Sequence, residues 1–207
     1  MRVIYLHGFA SGPESRKAQT LRAALAAQGI QLEIPALDEG DFEHLSISRQ
    51  LAVLDKTLHG EPCCLIGSSM GGYLASLYAA SHLEVERLVL LAPAFGFASR
   101  WRKMQSEKVI ERWRDTGWLE VYHYGDKCVR RVHYGLLEDA ERFPAFPNFG
   151  QPGLIFHGVN DTVVPIQFSR EFVAMHRAVQ LRELNSDHEL LDVLDIVTGE
   201  AVRFLAG

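Results

Sequence analysis

Cys63-Cys64-Leu65-Ile66-Gly67-Ser68-Ser69-Met70-Gly71-Gly72-Tyr73 is the stretch that decides the fold. Cys63 to Ile66 is a short, continuously apolar run, the pattern of a strand buried on both faces of a parallel sheet. From Met70 to Ser81 the apolar positions Tyr73, Leu74, Leu77 and Tyr78 recur at helical spacing. Between strand and helix stands Gly67-x-Ser69-x-Gly71, a tight turn with a serine at its centre. Small neighbours let the backbone fold closely and lift the serine oxygen clear of the sheet. The N–H of Met70 then points at negative charge developing beside that oxygen, and the helix N-terminus adds a favourable dipole. Ser68 is the neighbouring rival, but the glycine frame places Ser69 at the centre. No Gly-Lys-Ser/Thr follows and no G-x-G-x-x-G occurs, so a phosphate loop is excluded.

Working outward, further apolar runs lie at Val3–Leu6, Leu32–Ile34, Leu88–Leu91, Leu154–Phe156 and Val179–Leu184. Helical periods alternate with them. Pro13 to Gln28 carries Ala18, Leu21 and Leu25 on one face, and Gly29 stops it. Glu43 to Leu58 carries Ile47, Leu51, Leu54 and Leu58, and Glu189 to Leu205 carries Leu190, Leu194, Val197, Ala201 and Phe204. Strand–helix alternation of this kind implies right-handed crossovers and a doubly wound, mainly parallel sheet. Residues 95–150 break the rhythm: Ser99 to Arg114 reads as one helix rich in Trp and Arg. Leu119–Tyr124 and Cys128–Tyr134 flank Gly125-Asp126-Lys127 as a hairpin. A Pro- and Phe-rich loop, Phe143 to Pro152, follows. The expectation is a single domain over residues 1–207, with 95–150 as a lid-like insertion after the fourth strand.

The other strand ends carry the partners a nucleophilic serine needs. His7-Gly8-Phe9 follows the first strand, and by position the N–H of Phe9 is a second donor to an oxyanion. His7 reads as a structural histidine bonded to loop backbone, and Ser11 and Ser15 as turn and cap residues. His157-Gly158-Val159-Asn160-Asp161 follows the fifth strand and opens through Val164-Pro165 into a helix. Asp161 is placed there to hold a histidine's tautomer and orientation. Asn185-Ser186-Asp187-His188 follows the last strand, and His188 is the expected base. The remaining candidates, His44, His59, His82, His123, His133 and His176, have no partner at catalytic spacing. His123 and His133 sit across the expected hairpin, but two imidazoles alone make a poor metal site. The chain order Ser69, Asp161, His188 is that of the α/β-hydrolase fold.

Bulk properties agree with that reading and exclude others. The 207 residues, 47% hydrophobic and 23% charged, suit one α/β domain that buries its own core. A net charge of −5 gives no footprint for nucleic acid. No apolar run reaches membrane-spanning length. The first strand is interrupted too soon to be a signal peptide. Three cysteines, two of them adjacent, argue against a disulfide framework, and a reducing cytoplasm is the expected location.

Tyr5-Leu6-His7-Gly8-Phe9, then Ser11-Gly12-Pro13-x-Ser15-x-Lys17-Ala18, together with Gly67-Ser68-Ser69-Met70-Gly71-Gly72-Tyr73, resembles the small YqiA-type α/β-hydrolase esterases. The resemblance implies hydrolysis of carboxylic esters with short acyl groups, no cofactor, no metal and a cytoplasmic location. It carries over Ser69, Asp161 and His188 as catalytic triad, with Phe9 and Met70 as oxyanion donors. The sheet would then lack the first two strands of the eight-stranded core, and its six strands would stand in the spatial order second, first, third, fourth, fifth, sixth. A thioesterase or C–C bond hydrolase would use the same triad, and a binding protein on a silent hydrolase scaffold is the rival outside enzymes. Between Ser99 and Arg114, six basic residues stand against two acidic ones. This basic helix either steers anionic esters or is a solvated face. Trp101, Trp113 and Trp118 either line an acyl pocket or anchor the insertion to the sheet.

Overall fold

The computed structural model describes residues 1–207. In chain order it contains β1 (Val3–Leu6), α1 (Arg16–Ala26), β2 (Leu32–Glu33), α2 (Ile47–Leu58), β3 (Cys63–Ser68), α3 (Met70–Ala79) and β4 (Val85–Leu91). Residues between β4 and β7 form α4 (Phe97–Met104), α5 (Glu107–Thr116), β5 (Trp118–His123), β6 (Cys128–His133) and α6 (Gly135–Ala140). The chain closes with β7 (Gly153–Gly158), α7 (Gln167–Met175), β8 (Val179–Leu184) and α8 (Leu194–Ala206). Six strands form one parallel sheet in the order β2-β1-β3-β4-β7-β8, as the resemblance implies.

The continuous apolar runs have a simple cause: both faces of the sheet are covered. In β1, Val3 and Tyr5 pack with Ala18, Leu21 and Leu25 of α1 and Val197, Ala201 and Leu205 of α8. The alternate residues Ile4 and Leu6 join the larger core on the other face, with α2, α3, α7 and the 95–150 region. The central strands β1, β3, β4 and β7 feed both cores, while the edge strands β2 and β8 keep polar residues, Glu33, Gln180, Arg182 and Glu183. The C-terminal strand ends lie on one edge, where ligands bind in open α/β sheets.

The helix boundaries differ from the sequence reading where a local turn overrides periodicity. The first helix begins at Arg16, because Ser15 caps it through the Ala18 N–H. The expected helix from Glu43 is a 3-10 turn, Phe42–His44, followed by α2, whose N-cap Ser46 accepts from the Arg49 N–H. The expected single helix over 99–114 is two, broken by an extended Gln105 and restarted at Ser106-Glu107. The last helix starts at Leu194, not Glu189, because residues 185–193 form the loop that carries His188. Leu190 is buried there at φ 55°, outside any helix. Helix α6 was not expected at all; its Asp139 accepts from the Ser48 N–H and hydroxyl at 2.8 and 2.6 Å, capping the first turn of α2. The hairpin β5–β6 forms as expected. Its register pairs His123 with Cys128 and His133 with Trp118, so the two histidines stand at opposite ends of the ribbon rather than across from each other.

Candidate active site

Ser69 sits between β3 and α3 with φ 53° and ψ −115°, a conformation that costs free energy in any residue but glycine. The surrounding backbone holds it there. Its N–H donates to Leu91 O at 2.8 Å, and its carbonyl accepts from Gly72, Tyr73 and Ala94 N–H groups. Those bonds leave the Met70 N–H, first in the helix, with no intrahelical acceptor. The flanking glycines are demanded by contact as much as by the turn. A Cβ on Gly71 would lie 2.0 Å from Leu6 O, and one on Gly67 would lie 2.3 Å from Gly71 O. Glycine lets the first turn of α3 press against the end of β1, and that contact brings the β1 loop to the serine.

The structure brings Ser69, His188 and Asp161 together from three strand ends. His188 Nε2 is 3.0 Å from Ser69 Oγ, and His188 Nδ1 is 2.7 Å from Asp161 Oδ2. The Asp161 side chain has no solvent exposure, and His188 retains 12%. Asp161 Oδ1 accepts from the N–H groups of Val163 at 2.8 Å and Val164 at 2.7 Å. Burial works to raise the Asp161 carboxyl. Hydrogen bonds from His157, His188 and the Val164 N–H outweigh it and hold the group well below the usual carboxylate range. An ionised Asp161 fixes the proton of neutral His188 on Nδ1 and leaves the Nε2 lone pair facing Ser69.

The Asp161 and His188 loops are knitted into one unit. Val159 N–H donates to Leu184 O and Asn160 N–H to Ser186 O, while Asn160 Nδ2 donates to Asn185 Oδ1 at 3.0 Å. A Cβ on Gly158 would sit 2.3 Å from Ser186 O and 2.4 Å from Asp187 O. Only glycine there lets the His188 loop lie close enough to Asp161.

Phe9 lies beside the same centre. A Cβ on its neighbour Gly8 would stand 3.4 Å from Ser69 Cβ. The loop is fixed from three sides. Tyr124 N–H donates to Ala10 O at 2.7 Å, and the Phe9 ring packs on Phe42 at 5.5 Å and edge-on to Trp101 at 5.0 Å. His7 is buried with Nδ1 on Gly8 O at 3.1 Å, and burial lowers its pKa, so it is the structural histidine expected.

The sequence reading passed over two residues. His157, fully buried at the end of β7, has Nε2 2.8 Å from Val164 O and 3.1 Å from Asp161 Oδ2, with Nδ1 2.7 Å from Ser169 Oγ. Its signal was its place four residues before Asp161, on the strand that delivers the acid. Arg100 was counted in a basic surface helix. It is buried instead, donating to Phe95 O at 3.0 Å and Val163 O at 2.6 Å, and so ties α4 to the Asp161 loop. Arg102 pairs with Glu141, and Arg114 lies 3.5 Å from Asp115. Much of that helix's charge is therefore engaged. The tryptophans divide: Trp113 is buried with Nε1 on Val132 O at 2.9 Å, an anchor. Trp118 packs on Arg131, His44 and His133 at the hairpin. Only Trp101 reaches the site, through Phe9.

No cluster of His, Cys, Asp or Glu side chains suited to a metal ion occurs, and no helix is long and apolar enough to cross a membrane. A family model described as an uncharacterised protein family, UPF0227, matches residues 2–205. The chain is 30% identical to the AB hydrolase superfamily protein YisY of Bacillus subtilis (strain 168), over 71% of this chain and 67% of that protein. Among solved structures, alpha/beta hydrolase domain-containing protein 10 from mouse superposes with a TM-score of 0.82 at 17% identity, covering 99% of this chain and 89% of that one. A monoacylglycerol lipase of Paleococcus ferrophilus gives 0.74 at 17% identity, covering 98% and 93%. An esterase domain of a Rhodothermus marinus protein gives 0.69 at 21%, covering 98% and 86%. At these identities the structural likenesses show a shared fold.

Proposed function

The chain belongs to the uncharacterised protein family UPF0227 and to the α/β-hydrolase superfamily, and from that premise we propose that it is a serine hydrolase cleaving carboxylic esters with short acyl groups. One observation carries the reading: a single imidazole, His188, bridges Ser69 Oγ at 3.0 Å and a buried, ionised Asp161 at 2.7 Å. A serine hydroxyl is a weak nucleophile at its free pKa, and a base positioned to take its proton activates it.

The steps follow from that geometry. His188 Nε2 removes the Ser69 proton as Oγ attacks the ester carbonyl carbon. The oxyanion is held by the N–H groups of Phe9 and Met70. Collapse of the tetrahedral intermediate expels the alcohol, which takes the proton from His188, and leaves an acyl-serine. Water, deprotonated by His188, attacks the acyl carbon; the acid leaves and Ser69 regains its proton. Asp161 stays ionised throughout and stabilises the imidazolium.

Trp101, set against the Phe9 ring, supports the short-acyl part of the proposal, because a bulky aromatic wall stands beside the oxyanion loop. We read residues 95–150 as a fixed cover more than a mobile lid. Trp113, Arg100 and the Tyr124–Ala10 bond tie it to the core, the acid loop and the oxyanion loop. A panel of 4-nitrophenyl esters of rising chain length, acyl-CoA esters and diketones tests the reading. The expected result is turnover of the acetyl and butyryl aryl esters, absent in Ser69→Ala. Turnover confined to thioesters or diketones contradicts the ester assignment.

A further inference from the structure

We propose that His157 is a second, non-reacting imidazole that locks the Asp161 carboxylate and moderates its pull on His188, making His157 a positioning residue for catalysis; this rests on the triad reading above.

The argument begins with who can hold the proton. His157 is buried at the end of β7 with 0% exposure. Its Nε2 faces two acceptors, Val164 O at 2.8 Å and Asp161 Oδ2 at 3.1 Å. A lone pair there would oppose two oxygens, so the proton sits on Nε2. Nδ1 then accepts from the Ser169 hydroxyl at 2.7 Å, from the first turn of α7. Every polar atom of the buried ring is satisfied in the neutral form, which is what burial demands. Asp161 Oδ2 thus accepts from His188 and has the His157 Nε2–H close beside it at 3.1 Å, while Oδ1 accepts from two backbone N–H groups. The carboxylate cannot rotate without breaking bonds on both oxygens.

A carboxylate oxygen that faces two N–H groups, one hydrogen-bonded at 2.7 Å and one in close contact at 3.1 Å, offers less to the first than it would alone. His157 therefore weakens the stabilisation that Asp161 offers a protonated His188. The other charges bearing on this pair are few. Lys17 of α1 lies 3.4 Å from Glu189 Oε2, on the base loop that also carries Asp187. Arg100 of α4 acts on Asp161, and Glu183 of β8 acts on His157. Ser69 faces His188 from the remaining side. None of them donates a hydrogen bond to Asp161 Oδ2, so the two imidazoles alone face that oxygen.

The test compares the whole chain with His157→Phe, which keeps a ring and loses the donor, and His157→Gln, which keeps an N–H. kcat and KM for 4-nitrophenyl acetate are measured from pH 5 to pH 9. For His157→Phe the expected outcome is a kcat loss of about tenfold, the scale of one hydrogen bond to a charged group, with KM unchanged. The acid limb of kcat/KM should move to higher pH, because Asp161 is left wholly to His188. His157→Gln should restore most of both. A His157→Phe profile that overlays the wild type after scaling overturns the proposal, since a merely structural role lowers rate without moving the limb. Should His157→Phe fail to fold, nitrogen-resolved NMR of the wild-type imidazoles decides. A neutral, Nε2-protonated His157 between pH 5 and pH 8 supports the lock, and a titrating or Nδ1-protonated ring defeats it. If the wild type shows no Ser69-dependent turnover, the triad reading fails instead, and the NMR result still reports on His157.

Discussion

Replacing Asp161 by Asn keeps the shape of the side chain and removes one acceptor. Both native oxygens are engaged: Oδ1 by the Val163 and Val164 N–H groups at 2.8 and 2.7 Å, Oδ2 by His188 at 2.7 Å and His157 at 3.1 Å. An amide offers one acceptor oxygen and an NH₂ that only donates. The two backbone donors are fixed, so they keep the oxygen, and the NH₂ turns toward the imidazoles. His188 escapes the clash by moving its proton to Nε2. There it points at Ser69 Oγ, 3.0 Å away, and can no longer take the serine proton. In a chymotrypsin-type protease the equivalent exchange costs about 10⁴ in kcat, roughly 5.5 kcal/mol at about 1.4 kcal/mol per tenfold. Here the wrong tautomer is enforced by the same chemistry, and the expected loss for 4-nitrophenyl acetate is about 10³–10⁴ in kcat. KM should stay within about threefold, because no group touching the ground-state ester has changed. Steady-state kinetics on folded protein, checked by thermal melting, reads the effect. A variant within tenfold of wild-type kcat would refute the tautomer argument.

Other outcomes follow from the same contacts. Gly158→Ala drives a methyl into Ser186 O and Asp187 O, which should cost about 1–3 kcal/mol in urea unfolding. It should also displace His188 enough to lose about 10²-fold in kcat; a stable, fully active variant contradicts the close packing of the two loops. Trp113→Ala removes a buried ring and its bond to Val132 O. It should lower stability by about 3–5 kcal/mol, and a change below about 1 kcal/mol shows that the insertion is anchored elsewhere. Asp161 is held below its unfolded-state value, so its contribution is complete above about pH 4 and is lost as pH falls further. The denaturation midpoint of the wild type should therefore drop more steeply below pH 4 than that of Asp161→Asn; parallel curves count against an ionised buried Asp161.

Much of this was legible in the chain, for reasons visible in particular residues. Ser69 was readable because its constraints are local: a buried strand, glycines at contact distance and a helix start all fall within ten residues. Strand order follows from the resemblance, whereas the buried parallel sheet is legible in the runs of β1, β3, β4 and β7, which feed both cores. Asp161 and His188 came from strand-end position and chain order, and their meeting through Gly158 is a packing fact that no spacing reveals. His157 was missed because its partners, Ser169, Val164 and Asp161, lie on a loop and helix that only the fold brings back over it. Arg100 was misjudged because a helical period cannot tell a solvated arginine from one that serves two buried carbonyls. The Trp- and Arg-rich run over 99–114 reads as one helix through Gln105 because no Gly or Pro interrupts it, although Ser106-Glu107 is a readable restart.

The central claim is that Ser69 is an activated nucleophile, and covalent capture tests it most directly. Intact protein treated with a fluorophosphonate at pH 8 and analysed by mass spectrometry should gain one phosphonyl group, located on Ser69 by peptide mapping. Ser69→Ala should gain none, and His188→Ala should react far more slowly. An unmodified wild-type chain, or a label that persists in Ser69→Ala, contradicts the account.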